Sequence, residues 1–139
     1  MTIKEAEQEI IEEFSIFTDW LDKYEYLIEL GKSLPIISDN GRQEANLIKG
    51  CQSRVWLAAD YKEGKIYFTA DSDAIITKGI ISLLIRVFSG RTPKEIVDAD
   101  INFIKEIGLQ DNLSATRANG LMSMIRQIKF YAVAFAANK

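Results

Sequence analysis

Residues 54–70 read RVWLAADYKEGKIYFTA, and this stretch decides the fold class. Arg54 to Tyr61 is rich in Val, Trp, Leu and Tyr, residue types that suit a pleated, half-buried surface. Lys62-Glu63-Gly64 supplies a turn, and Lys65 to Ala70 is a second run of the same kind, so the stretch reads as two strands joined tightly. On an alternating strand Trp56 points away from Val55 and Leu57, which makes both faces of the first strand apolar. Just upstream, Ala45 to Ile48 reads as a further short strand leading into Gly50-Cys51-Gln52-Ser53. Three strands with short connections predict an antiparallel meander.

On both sides of these strands the sequence turns helical. Ile3, Ala6, Ile10, Phe14 and Phe17 recur at three- and four-residue steps and predict a first helix over 3–17. Thr18 or Asp19 caps a second helix, with Trp20, Tyr24, Leu27 and Ile28 on its buried face; Gly31 ends it and Leu34-Pro35 marks the break. Beyond the strands, Ser72-Asp73 reads as the cap of a helix bearing Ile76, Ile80, Leu83, Leu84, Val87 and Phe88, with Gly90 at its end. Thr92-Pro93-Lys94-Glu95 combines a cap residue, Pro at the first helical position and Glu at the third, a strong helix start. A short helix near 101–107 stops at Gly108. Ser114 caps a last helix with Ala118, Leu121, Ile125, Ile128, Ala132 and Phe135 on one stripe. Helices, then three strands, then helices predict an α+β fold: a three-stranded antiparallel sheet with helices packed mainly on one face.

The 139 residues suit a single domain over 1–139, and 47% hydrophobic content supplies its core. A net charge of −3 argues against non-specific nucleic-acid binding. The longest apolar run, Ile80 to Ile85, contains Ser82 and is followed by Arg86, so no membrane span is expected. The start of the chain, Met1 to Glu13, is acidic and periodic rather than signal-like, which makes the cytoplasm the expected compartment.

There is one cysteine and no histidine. Within one chain these counts exclude a disulfide, a Cys/His zinc site, a Ser–His–Asp or Cys–His pair and a multi-thiolate cluster site. Any chemistry at Cys51 must therefore borrow its base or its activated partner. Free cysteine is a commonly buried residue type, yet Cys51 lies between Gly50 and Gln52-Ser53-Arg54, in the connection between two expected strands, where reactive groups are often displayed. From spacing alone it reads equally as a structural thiol or a reactive one.

Four stretches carry a resemblance: Tyr24 to Pro35, YEYLIELGKSLP; Asn46 to Leu57, NLIKGCQSRVWL; Asp71 to Gly79, DSDAIITKG; and Leu113 to Ile125, LSATRANGLMSMI. In order and spacing they are similar to the SufE family of sulfur-acceptor proteins across nearly the whole chain, with GCQSRVW the most specific. The resemblance implies a fold shared with IscU-type cluster scaffolds, and a sulfur carrier rather than an enzyme. Cys51 would take persulfide sulfur from a cysteine desulfurase, stimulate it, and deliver sulfur to an iron–sulfur cluster scaffold. Pyridoxal phosphate would belong to the desulfurase, and no cofactor is expected on this chain. One thiol suits delivery and not cluster building. The resemblance also makes Gly50, Gln52 and Ser53 the acceptor loop and places Asp73 and Arg117 beside the site or the partner. Read from the residues alone, Asp73 is a helix cap and Arg117 a surface cation slightly misplaced at a helix N-terminus. Trp56 is core or a wall of the sulfur pocket, and Tyr24 and Tyr26 are helix packing. Two rivals remain: a thiol redox protein, weakened by the absence of a resolving cysteine, and an adaptor in which Cys51 is inert.

Overall fold

In a computed structural model, which describes residues 1–34, 37–38 and 41–137, helices pack against one face of a two-stranded antiparallel hairpin. Strand β1 (Val55–Lys62) pairs with β2 (Lys65–Ser72) in a register running from Val55 opposite Ser72 to Lys62 opposite Lys65. The two-residue connection puts Glu63 at φ 52° and Gly64 at φ 81°. Both central residues are left-handed, the turn geometry whose twist matches that of the strands.

The third expected strand is absent from the described residues. Glu44–Asn46 is a 3₁₀ turn, and Leu47 forms a single bridge to Trp56, with the Ile48 N–H donating to the Val55 carbonyl at 2.9 Å. The turn bends the chain before Leu47, and the reversal at Gly50 and Cys51 takes it away after Ile48. Too few residues are left to pair. Of the hairpin's faces, one carries buried Val55, Leu57, Ile66, Phe68 and Ala70. The other carries half-buried Trp56 and exposed Tyr67, so β1 is not buried on two sides.

Helix α1 (Ile3–Ser15) is capped by a reciprocal pair in which the Glu5 N–H donates to Thr2 Oγ and the Thr2 N–H to the Glu5 carboxylate, both at 3.1 Å. It buries Ile3, Ala6, Ile10 and Phe14; Phe17 lies beyond its end and packs on Tyr26 at 5.1 Å. Buried Glu7 accepts the backbone N–H groups of Asn102 and Phe103, which locks α1 to the later chain. Helix α2 (Trp20–Lys32) starts at Asp19, whose carboxylate accepts the Leu21 N–H at 2.9 Å. Gly31 does not end this helix but sits inside it, where a Cβ would lie 2.9 Å from the Gly79 nitrogen. Of the expected break, Leu34 is buried and Pro35 lies outside the described residues.

The central helix α3 (Ile75–Phe88) is buried nearly throughout, including all six of its expected apolar positions. It crosses α2 where Gly31 and Gly79 meet, and a Cβ on Gly79 would collide with the Leu27 carbonyl oxygen. After α4 (Pro93–Asp98), capped by Thr92 and Glu95, come two one-turn helices, α5 (Phe103–Glu106) and α6 (Leu109–Asn112), with Gly108 between them. The long α7 (Ala115–Ala137) buries Gly120, Leu121, Met124, Ile128 and Ala132. It reaches the hairpin through Tyr131, whose hydroxyl donates to the Leu57 carbonyl, and through Phe135, stacked on Tyr61 at 5.2 Å. Among the described residues no helix is long and apolar enough to cross a membrane.

Candidate functional site

The loop between Ile48 and β1 is shaped by two features. Gly50 has φ 92°, a left-handed conformation that L side chains rarely adopt, and a Cβ there would collide with Ser123 Oγ on α7. At its far end the loop is tied down by three hydrogen bonds. The Asp73 carboxylate accepts the Arg54 N–H at 3.1 Å, while Ser72 Oγ and the Asp73 N–H both donate to the Arg54 carbonyl. Asp73 is therefore not the cap of α3. The residue at that cap is Ala74, without a side-chain bond of its own, and its N–H is accepted by Ser72 Oγ at 3.2 Å. The expected capping carboxylate instead fixes the end of the loop that holds Cys51.

Between these anchors Cys51 turns inward onto α7. Its Sγ lies 3.6 Å from the Gly120 carbonyl oxygen, a geometry in which the thiol donates. Gly120 faces the thiol directly, and a Cβ there would rest 3.5 Å from Sγ, in ordinary contact. Cys51 is half-buried, and that burial pushes its thiol above the ordinary value of 9.0. Burial of this kind favours the thiol over the thiolate.

Cys51 opens onto a cleft of about 370 Å³, formed where the loop meets α3 and the start of α7. Gln52 and Ser53 line it from the loop, Thr77 and Ile80 from α3, and Arg117 and Met124 from α7. Arg117 stands in the first turn of α7, where its N–H is accepted by Ser114 Oγ at 3.2 Å. Its guanidinium donates to the Tyr24 hydroxyl at 2.6 Å, and Tyr24 packs on Trp20 at 5.4 Å. Four expected site residues, Cys51, Gln52, Ser53 and Arg117, thus share one cleft, while Gly50 and Asp73 shape its loop from outside the lining. Val55, Trp56 and Leu57 do not line it; they belong to the hairpin. Among the described residues no group of three Cys, Asp or Glu side chains is placed to hold a metal ion.

Sequence reasoning missed Thr77 and Gly120. Gly120 carried a signal, a glycine inside an otherwise periodic helix, which marks a close approach. Thr77 carried a weaker one, a hydroxyl among the apolar residues of α3.

The SufE family model, described as an Fe-S metabolism associated domain, matches residues 8–132. An uncharacterized SufE-like protein of Rhizobium meliloti is 40% identical over 126 residues, spanning 87% of this chain and 90% of its own. One from Synechocystis is also 40% identical over 126 residues, spanning 91% of this chain and 79% of its own. One from Rhizobium etli is 39% identical over 134 residues, at 93% and 90%. The solution structure of a hypothetical protein from Thermus thermophilus superimposes with a TM-score of 0.76 over 93% of this chain and 94% of that one; at 19% identity it supports the fold alone.

Proposed function

Because the chain belongs to the SufE family and so to Fe-S metabolism, we propose that it carries sulfur on Cys51, between a cysteine desulfurase and iron–sulfur cluster assembly. One observation carries this reading: the only cysteine of the chain sits at the mouth of a cleft, on a loop held at both ends and pressed against α7.

The exchange conserves atoms and electrons. The Cys51 thiolate attacks the terminal sulfur of a persulfide on the desulfurase's own cysteine. The new S–S bond forms as the donor's breaks, and the electron pair leaves on the donor's thiolate. Rate depends on the thiolate fraction and on access. The resting site limits both, through a thiol pushed up by burial and a loop turned inward. Binding of the desulfurase swings Cys51 outward about Gly50, where its proton passes to water or to a base that the desulfurase supplies. Arg117 sits where its guanidinium draws the anionic persulfide into the cleft. A later acceptor thiol repeats the exchange in reverse.

The test compares desulfurase turnover of cysteine with the native chain and with Cys51→Ser. The native chain should stimulate turnover, with the sulfur recovered on Cys51, and the variant should do neither. Equal stimulation by the variant would leave Cys51 inert and the chain an adaptor.

A further inference from the structure

Beside the Cys51 cleft lies a second, open groove of about 600 Å³, in which Leu47 and Lys49 face Ser123, Arg126 and Phe130 of α7. It adjoins the acceptor loop directly, because Gly50 packs on Ser123. Exposed residues on the outer face of α7 extend past the groove, with Met122 lining a separate cleft beside Ile125 and Lys129. Met122, Arg126, Phe130 and Val133 follow at steps of four, four and three residues and form one stripe. Met122 is 54% exposed, Phe130 65% and Val133 54%, a dense apolar line for the solvent side of a helix whose opposite side already packs on the core.

The charges nearby are uncompensated. Among the described residues, Lys49 and Arg126 form no ion pair, and neither do the side chains of Arg54 and Arg117. Lys49 and Arg54 flank Cys51 in sequence, and Arg117 and Arg126 flank it on α7. Lys49 and Arg126 line this groove and Arg117 the neighbouring cleft, on a chain whose net charge is −3. An exposed aromatic beside an arginine is also the composition of an interface anchor.

We propose that this groove and the α7 stripe form a docking surface for an acidic protein face with an apolar contact for Phe130, borne by the desulfurase that loads Cys51. The inference rests on the carrier reading. An acidic chain with a small basic patch suits a protein partner better than nucleic acid, which calls for an extended basic surface. The groove itself holds only Lys49 and Arg126, fewer than the cluster of about four or more cations that binds an anionic bilayer. The location does the functional work: a partner seated on α7 reaches the acceptor loop without covering the cleft. Docking strength and sulfur chemistry are then carried by separate residues.

The test measures binding of the desulfurase, its own cysteine replaced, by calorimetry. Lys49→Glu/Arg126→Glu should weaken binding about tenfold at low salt, with the gap closing as salt rises. Phe130→Ala should weaken it about fivefold at every salt concentration. All three positions are exposed, so melting temperatures and the Cys51 alkylation rate of the free protein should match the native chain. With native desulfurase at saturation, persulfide loading should be equal as well. Unchanged affinity in both variants overturns the proposal while loading of Cys51 leaves the carrier reading standing. The same holds if the variants lose only affinity for RNA or anionic vesicles, or if Phe130→Ala merely converts a dimer of this chain to monomer. No loading of Cys51 in the native chain overturns the carrier reading, and the docking proposal with it.

Discussion

At the residue scale the account turns on Cys51 and the groups that touch it. Burial raises its thiol, so alkylation by iodoacetamide should rise with pH through a midpoint above that of a free cysteine. A midpoint at or below the ordinary value would show that the site favours thiolate at rest. Because the folded state holds the proton more tightly, the matching stability is present below the ordinary value of 9.0 and is lost as pH rises through the raised one. Gly120→Ala should stabilise the protein by up to about 1 kcal/mol, because alanine suits a helix interior and its Cβ fits against Sγ. The same methyl should pin the thiol and slow its release, so sulfur acceptance should fall while the melting temperature rises; a fall in both would show that the space is needed for folding. Arg117→Ala removes an exposed bond to Tyr24 and should cost less than about 1 kcal/mol, yet slow sulfur transfer. Native transfer rates together with a clearly lower melting temperature would make Arg117 structural. Cys51 and Arg117 were legible in sequence because each sits in a motif-bearing stretch. Gly120 and Thr77 lie in such stretches too but were not singled out, because their places in the cleft depend on α3, α7 and the loop meeting, and pairs such as Cys51 and Gly120 stand 69 positions apart.

At the scale of elements the loop is defined by what surrounds it. Helix positions were legible almost throughout, since their caps and apolar steps are local signals. The third strand was misread for the opposite reason: Ala45 to Ile48 has strand-like residues, but pairing there is decided by the 3₁₀ turn before it and the reversal at Gly50 after it. Gly31 was misread as a stop, since sequence alone does not separate a terminating glycine from one that admits a neighbouring backbone. The α2–α3 crossing gives that distinction a test. Gly79→Ala drives a Cβ into the Leu27 carbonyl, and because backbone meets backbone neither helix can yield by rotating a side chain. The variant should lose about 3 kcal/mol in urea unfolding. A loss no larger than that of an exposed helical substitution would contradict the crossing.

At the scale of the molecule, three helices converge on one polar cluster remote from Cys51. Arg86 of α3 pairs with Glu13 and Glu9 of α1, and Tyr26 of α2 donates to Glu13 at 2.5 Å. Arg86 holds the Glu13 carboxyl below its ordinary 4.5, with Tyr26 helping. That stabilisation is present above pH 4.5 and is lost as pH falls through the lowered value. Burial, then the Glu13 carboxylate, pushes Tyr26 up to about 12, so its share is present below 10 and is lost as pH rises toward about 12. Glu13→Gln should therefore lower stability at neutral pH and flatten its decline in acid, as read from urea unfolding across that range; an unchanged decline would remove Glu13 from the acid response. The central claim is tested most directly by intact-mass measurement of the chain after incubation with cysteine and a desulfurase. The account predicts the gain of one sulfur atom, located on Cys51, removed by a thiol reductant and absent from Cys51→Ser. An unmodified chain that still stimulates the desulfurase, or a chain carrying only oxygen at Cys51, would contradict it.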